Sequence, residues 1–281
     1  CKKTEKGLLR AWVKTIKEQD PDIIIGYNIF GFDWHFLLDR VKELNDKTKE
    51  ADFEKEFLET MSRNKKEKNA KHDMIIRSTT TVASGTYELV YVKIPGRIQI
   101  DLLNYFRKNE NLSSYKLDYV GQHFIGDDVK DYKVGDFITK LKSKNLFGLK
   151  NGNYIVFEIK GHSSDKYLKG KKFKVKNLDL ESGSFEIEHN LDIDKKKKFR
   201  WCLAKDDIDH MDIFRLSKGG PADKAIVAKY CYQDCNLVHN LFIKNDIFTA
   251  MVEQASICSV PIEFVAMRGQ GIKLLSFISK E

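Results

Sequence analysis

The sequence predicts an α/β fold, in which helices flank a mixed sheet that carries a small β-rich insert. Three observations favour this class. Ile23 to Ile25 run through a glycine into a helical pattern, which is typical of a buried strand, a sharp turn and a helix. Strand-like alternation begins at Thr79, and helical patterns return after Asp206. Between them, the segment 134–204 alternates in short stretches separated by glycine, asparagine, serine and aspartate.

The first helical pattern begins after Thr4, which is placed to cap it, and ends at Asp20-Pro21. Its apolar face comprises Leu8, Leu9, Trp12, Val13 and Ile16. The helix after the turn buries Phe36, Leu37, Val41 and Leu44. The segment 45–73 is rich in lysine and glutamate, and we expect a short helix there only around Phe53 to Met61.

The strand-like region predicts strands around a turn at Pro95-Gly96, the second strand running from Arg97 to Leu103. Alternation places Ile98, Ile100 and Leu102 on one face and Gln99 and Asp101 on the other. Asp101 therefore falls at the end of this strand. There it could contribute to a metal site, or it could cap the helix that follows. A further helix is expected from Leu117 to Phe124.

The second half of the chain ends in helices. A Gly-Gly-Pro break precedes a helix predicted from about Ala222 to Lys244. Its apolar face comprises Ile226, Val227, Val238 and Leu241. Tyr230 and Asp234 are four residues apart, so their side chains lie on one face of this helix. The last segment, Ile247 to Ser279, should be helical with a break at Val260-Pro261.

The composition of the 281 residues fits a globular protein, because 42% are hydrophobic. The net charge of +8 permits an anionic partner such as nucleic acid, but a solvated basic surface explains it equally well. The five cysteines form no CxxC pair, which is typical of a reducing compartment. We expect Cys231 and Cys235 to be small packing residues.

No apolar run of membrane-spanning length and no signal peptide is evident, so we expect a soluble, intracellular protein that contacts no membrane. The chain begins at a cysteine rather than a methionine and stops just after an apolar run. We therefore expect it to be a fragment of a longer protein.

Two spaced motifs indicate a function. The first is Tyr27-Asn28-x-x-x-Phe32-Asp33, just past the turn, where a lone aspartate would most often cap a helix. The second is Tyr230-x-x-x-Asp234. Together they resemble the second and third exonuclease motifs of the family B DNA polymerases of the delta-like branch. The segments GRIQIDLLNYF, SSYKLDYV and RGQGIK match in the family's order, and WCLAKDDI is most similar to the polymerases of large eukaryotic DNA viruses.

The resemblance implies an RNase H-like mixed sheet and a 3′ to 5′ proofreading exonuclease belonging to a DNA-directed DNA polymerase. It divides the chain into a first part of the exonuclease domain, 1–133, a β-rich insert, 134–204, and a second part, 205–281, that leads toward the polymerase palm. The insert is similar to one in the viral polymerases. Its lysines could follow a nucleic-acid backbone, and a solvated sheet edge explains them equally well.

Carried over position by position, the resemblance makes Asp33 and Asp234 ligands of two Mg²⁺ ions, with Mn²⁺ as a second option. Tyr230 would orient the attacking water. Asn28 and Phe32 would line the pocket for the 3′-terminal nucleotide. Lys116 could contact a DNA phosphate. The alternative is that it is a solvated surface lysine with no role in binding. Asp101 matches an acidic position of the family, as a ligand or as a support for the site.

The family's first exonuclease motif, DxE, has no counterpart in the right setting, and the polymerase motifs of the palm are absent too. We therefore expect these residues alone to be inactive. For the parent protein the resemblance implies a DNA primer-template, a single-stranded 3′ end, a dNTP and, as an option, a sliding clamp. It also implies a location in the nucleus or in a cytoplasmic viral factory. The open alternatives are a free-standing exonuclease, a repair polymerase, or a nucleic-acid-binding module that has lost catalysis.

Overall fold

A computed structural model describes residues 2–48, 52–63, 75–82, 85–161, 164–194, 197–205, 208 and 210–280. The chain divides into two compact units. The first comprises Cys1–Ser113 and Phe248–Glu281, and the second comprises Ser114–Ile247. The described residues contain helices together with parallel and antiparallel strands, which confirms the predicted mixed α/β class.

The helices and strands are numbered in chain order. The α-helices are α1 (Glu5–Gln19), α2 (Trp34–Thr48), α3 (Phe53–Met61), α4 (Leu102–Asn109), α5 (Leu117–Phe124), α6 (His210–Ser217), α7 (Pro221–Lys244), α8 (Ile247–Cys258), α9 (Ile262–Met267) and α10 (Gln270–Lys280). The strands are β1 (Ile23–Gly26), β2 (Ile75–Val82), β3 (Gly85–Val92), β4 (Ile98–Asp101), β5 (Gly126–Val134), β6 (Thr139–Ser143), β7 (Tyr154–Lys160), β8 (Ser164–Lys166), β9 (Phe173–Asp179), β10 (Ser184–Ile187) and β11 (Phe199–Ala204).

Several predicted helix boundaries are confirmed. Thr4 caps α1, because its side chain accepts a hydrogen bond from the Gly7 amide at 3.1 Å. The short helix α3 and the helix α5 lie where they were expected. The predicted break near Pro261 separates α8 from α9, and Pro261 occupies the N-cap of α9.

The first unit contains a parallel strand pair, β1 with β4, in which Gly26 lies opposite Asp101. Strands β2 and β3 form a separate antiparallel hairpin. The expectation that the strand after Pro95-Gly96 continues to Leu103 is wrong. It ends at Asp101, because that side chain caps α4 and Leu102 is already helical.

The core of the first unit lies among α1, α2, α3 and the hairpin, with Phe57, Met61 and Val92 fully buried. The apolar face of α1 is narrower than predicted, because Leu8 is 57% exposed and only Leu9 and Val13 are buried. Trp12 lies at the edge of this core and stacks on Phe57, with ring centroids 5.9 Å apart.

The second unit is organised by an antiparallel sheet of seven strands. Six of these close into a ring, because β11 pairs with β5 on one side and with β7 on the other, and β8 extends from β7. Trp201 and Phe185 fill the interior, and the Trp201 indole nitrogen donates to Ser143 Oγ at 3.0 Å. A closed ring leaves few free strand edges, which limits unwanted pairing with other chains.

This sheet begins at Gly126, although the β-rich segment was expected only from residue 134. Strand β5 was missed because its sequence, GDDVKDYKV, is rich in aspartate and lysine, which are rare in strands. Pairing with β6 and β11 overrides that preference. The division of the chain at 133/134 and 204/205 stays a prediction, and the limits of the two units differ from it.

Candidate functional site

The first unit places the predicted Asn28–Asp33 motif on a sharp turn after β1. Asn28 has φ 64° and ψ 25°, a left-handed conformation that asparagine tolerates better than most residues. A π-helical turn from Ile29 to Asp33 follows and leads into α2. Gly31 leaves room for the Asn28 side chain, because a Cβ at position 31 would lie 2.4 Å from Asn28 Oδ1.

Asp101 holds this turn in place. Its Oδ1 accepts hydrogen bonds from the backbone amides of Asn28 at 2.8 Å and Leu103 at 3.0 Å. Its Oδ2 accepts from the backbone amide of Phe30 at 3.1 Å and from Asn104 Nδ2 at 3.3 Å. Only 4% of Asp101 is exposed, and this burial raises the pKa of its carboxyl group against the opposing effect of the four donors.

The bond from the Leu103 amide makes Asp101 the N-cap of α4, as the capping interpretation expected. Each carboxylate oxygen already accepts two hydrogen bonds, so neither offers a free lone pair to a metal ion in this conformation. The geometry therefore favours a supporting role for Asp101 over a ligand role.

Asp33 lies at the end of the turn and is exposed. The atoms around it displace enough water to raise the pKa of its carboxyl group. Within the described part of the chain, no ion pair involves Asp33. Phe32 beside it is 62% exposed and stacks on Phe36, with ring planes 8° apart. This corner of the first unit thus presents a carboxylate and an aromatic face to solvent.

The second unit places Tyr230 and Asp234 on α7, one turn apart, as predicted. A third residue joins them. Lys205 Nζ lies 2.8 Å from Asp234 Oδ2 and 5.0 Å from the centre of the Tyr230 ring. Burial lowers the pKa of the Lys205 amine, but its hydrogen bonds with Asp234 and Tyr230 raise that pKa to a greater extent.

Lys205 is the functional candidate that the sequence analysis missed. It follows β11, and its backbone amide donates to Asp118 Oδ1 at 3.0 Å, which fixes where its side chain starts. A cavity of about 330 Å³ adjoins the group and is lined by Lys205, Tyr230 and Asp234 together with Lys150 and Gln233. The available signal was its place in the WCLAKDDI segment, but nothing in the spacing linked that segment to α7.

The expected burial of Ile226, Cys231 and Cys235 on α7 is wrong. Ile226 is 45% exposed, whereas Leu237, Val238 and Leu241 are buried. Helix α7 packs on the short helices α5 and α6, which leaves part of its apolar surface exposed. Cys231 and Cys235 are also exposed rather than packed.

Lys116 is exposed at the N-cap position of α5, where its side chain makes no capping bond. A contact between Lys116 and DNA stays a prediction. Within the described ranges, no helix is both long and apolar enough to cross a membrane.

The structure thus groups Asn28, Phe32, Asp33 and Asp101 in the first unit and Tyr230, Asp234 and Lys205 in the second. Their union in one site stays a prediction. Among the described residues, no cluster of three or more histidine, cysteine, aspartate or glutamate side chains could hold a metal ion. The carboxylates of Asp33 and Asp234 are the oxygen ligands that Mg²⁺ prefers, but by themselves they do not complete a site.

Comparison with known proteins finds relatives that align with both units. Residues 1–120 match the sequence model of a family described as "DNA polymerase family B, exonuclease domain". The chain is 41% identical over 285 residues to a DNA polymerase of Phaeocystis pouchetii virus, a match that covers 100% of this chain and 27% of that protein. It is 36% identical over 279 residues to a DNA polymerase of Pyramimonas orientalis virus, covering 99% of this chain and 21% of that protein.

A cellular relative aligns as well. The DNA polymerase delta catalytic subunit of Oryza sativa subsp. japonica is 27% identical over 275 residues, which covers 97% of this chain and 17% of that protein. The chain therefore spans only about a quarter, or less, of the length of these relatives. The family match covers the Asn28–Asp33 turn and its Asp101 support, and the viral matches extend over α7. The chain belongs to the family B DNA polymerases, and residues 1–120 are part of their exonuclease domain.

Proposed function

We propose that a full-length polymerase carrying this sequence uses the region described here to remove nucleotides from a primer 3′ end. The observation that carries this proposal is Asp33, an exposed carboxylate on a turn that Asp101 holds by hydrogen bonds, inside the segment that matches an exonuclease domain. A preorganised turn of this kind holds a reacting group at a fixed place, which is the main requirement for positioning catalysis.

We further propose that the first unit is part of an RNase H-like fold. The parallel pairing of β1 with β4 supports this, because both strands end at the residues of interest. Gly26 leads into the turn that bears Asp33, and Asp101 ends the neighbouring strand. In open parallel sheets, ligands bind beyond the carboxyl ends of the strands.

Two divalent cations, Mg²⁺ or alternatively Mn²⁺, would supply water activation and charge stabilisation in this reaction. Asp33 and Asp234 would hold them, together with carboxylates outside the described residues. Tyr230 would donate a hydrogen bond to the attacking water, because its ring lies one helical turn from Asp234. Lys205 would orient the Asp234 carboxylate through their 2.8 Å ion pair.

The residues around Asp33 also indicate how the DNA substrate would be held. We propose that Asn28 and Phe32 contact the 3′-terminal nucleotide, since Phe32 is exposed and offers a flat ring on which a base can stack. Lys116 would contact a phosphate of the single strand. The primer-template, the dNTP and a sliding clamp are partners proposed for the whole polymerase. The nucleus or a viral factory is its proposed location.

A second candidate is a nucleic-acid-binding module without catalysis. The observation that favours it is the Lys205–Asp234 ion pair, which already neutralises one of the two carboxylates. A metal-dependent loss of nucleotides from DNA separates the two functions, because a binding module leaves its DNA intact.

The test uses the full-length polymerase and a primer with a mismatched 3′ end. Asp33→Ala and Asp234→Ala should each abolish 3′ to 5′ degradation and leave nucleotide addition intact. Asp46→Ala, which removes an exposed aspartate from the same helix that follows Asp33, is the matched control and should degrade normally. Degradation at the parental rate in either site variant would refute the assignment.

A further inference from the structure

A second cavity lies within the first unit. It has a volume of about 470 Å³ and lies between α4 and the three C-terminal helices. This volume is within the range of pockets that bind small molecules. Its wall combines apolar side chains with amides and two amines. The residues that matter here are Phe30, Lys108, Gln254, Gln270 and Lys273.

Lys273 is the unusual member of this wall. It is only 5% exposed, although it lies on α10, where Leu274 and Leu275 are 59% and 66% exposed. Among the residues that the structure describes, Lys273 has no hydrogen bond and no ion pair. Burial lowers the pKa of its amine, opposed by the nearby Cys258 thiol. Most of the Lys273 side chain is thus buried, and the residue lines the cavity. An anion bound in the cavity would give its amine the charged partner that no described side chain supplies.

Lys108 faces the same cavity from α4. Its Nζ donates to the Ala266 carbonyl oxygen at 3.0 Å, which anchors the amine at the cavity wall. Burial lowers the pKa of Lys108, and the charge of Lys273 lowers it further. Two ammonium groups that repel each other across one cavity would both be relieved by an anion bound between them.

The acidic residues of the wall do not supply that anion. Asp101 contacts the cavity, but its oxygens are engaged by four donors of the turn and of α4. Glu253 also lines the cavity, but it is exposed, and no ion pair joins it to either lysine within the described ranges.

We propose that this cavity binds a nucleotide, with Lys108 and Lys273 holding its phosphate group. A lysine amine recognises phosphate as a compact point charge. Gln254 and Gln270 offer amide groups that can pair with the polar edge of a base, and Phe30 contributes an apolar surface. The proposal does not rest on the exonuclease assignment, because binding can be measured without catalysis.

The test is equilibrium binding of labelled thymidine 5′-monophosphate to the full-length polymerase in the presence of a metal chelator, so that metal-dependent nucleotide sites do not contribute. Lys273→Met should weaken binding at least about tenfold, the loss expected for one charged hydrogen bond. Lys280→Met removes an exposed lysine from the same helix and should bind like the parent. Lys108→Met, on α4, tests the site independently if Lys273→Met does not fold.

Competing ligands define what is recognised. Excess inorganic phosphate should displace the nucleotide, and thymidine, which lacks the phosphate, should not. Displacement by an oligonucleotide with a free 3′ end would identify a strand terminus as the source of the phosphate, and its failure would identify a free nucleotide. Equal binding by Lys108→Met, Lys280→Met and the parent would overturn the proposal. Absence of any binding in the parent would overturn it as well.

Discussion

Asp101 determines the shape of the turn that bears Asp33. Its two oxygens accept bonds from Asn28 and Phe30, which lie 73 and 71 residues earlier in the chain. A carboxylate is the side chain best suited to this place, because both of its oxygens accept and neither donates. The turn and the cap of α4 therefore depend on one buried group.

Asp101→Asn should destabilise the protein by about 1–3 kcal/mol, since an amide nitrogen would face two donors and leave a buried N–H without an acceptor. The free energy of unfolding in urea measures this. Asp46→Asn, an exposed change on α2, is the control and should lie within about 0.5 kcal/mol of the parent. Equal stabilities of the two variants would contradict the role given to Asp101.

In the second unit, a single residue has a comparable role: Lys205 holds the Asp234 carboxylate through their ion pair. Lys205→Met in the full-length polymerase should lower the rate of 3′ to 5′ degradation by about 10–100-fold, the usual effect of removing a partner of a metal ligand. Nucleotide addition should not change. The Mg²⁺ concentration for half-maximal degradation should also rise, which a loss of fold would not produce.

Two variants control this experiment. Lys205→Arg keeps the charge and should recover part of the rate, and Lys218→Met removes an exposed lysine elsewhere in the unit. If Lys205→Met degraded DNA as fast as Lys218→Met, then Lys205 would have no part in the site.

Among the elements, β4 is held to its neighbours by a buried arginine. Arg97, whose side chain is 2% exposed, donates to the carbonyl oxygens of Met61 at 3.0 Å and Pro21 at 2.6 Å and pairs with Asp20 at 2.9 Å. It thereby joins the end of α3 and the approach to β1. Asp20 also pairs with Arg63 at 2.8 Å.

The bond from Arg63 lowers the pKa of the Asp20 carboxyl below its ordinary value of 3.8. Burial opposes this shift, and the bond from Arg97 adds to it. Ionised Asp20 therefore adds stability above that pH, and the contribution is lost as the pH falls through the lowered pKa. The difference in melting temperature between the parent and Asp20→Asn should accordingly be larger at pH 6 than at pH 3. Asp46→Asn is the control, because Asp46 is exposed and no ion pair involves it within the described ranges, so its loss should matter little at either pH. A pH-independent difference would contradict this account.

At the scale of the whole molecule, the described residues supply only part of the metal ligands that the proposed reaction needs. The described residues contain no cluster of three ligating side chains, and the two predicted metal ligands belong to different units. A pair of divalent ions needs several carboxylates. The activity is therefore proposed for a longer polymerase, consistent with the 27% of the Phaeocystis pouchetii virus enzyme that this chain covers.

The 281 residues expressed alone should not hydrolyse single-stranded DNA in the presence of Mg²⁺, because half of the ligands would be missing. Gel analysis of a labelled strand measures this, with the full-length polymerase as the positive control. Metal-dependent shortening of the strand that disappears in Asp33→Ala would show that the site is complete without further residues.

The sequence by itself determined the local elements and the family. The cap at Thr4, the limits of α5 and the break at Pro261 depend on neighbouring residues, so spacing and residue type were enough to predict them. The two spaced motifs were enough to indicate an exonuclease domain, which the family match confirms.

Only the tertiary structure decided which groups meet. Residues far apart in sequence meet in the bonds of Asp101 to Asn28 and Phe30, in the Lys205–Asp234 ion pair and in the pairing of β11 with β7. The burial of Lys273 likewise depends on helices from distant parts of the chain. Periodicity reports how one segment divides its surface between core and solvent. It does not record which distant segment supplies the partner, because that depends on how complete elements pack.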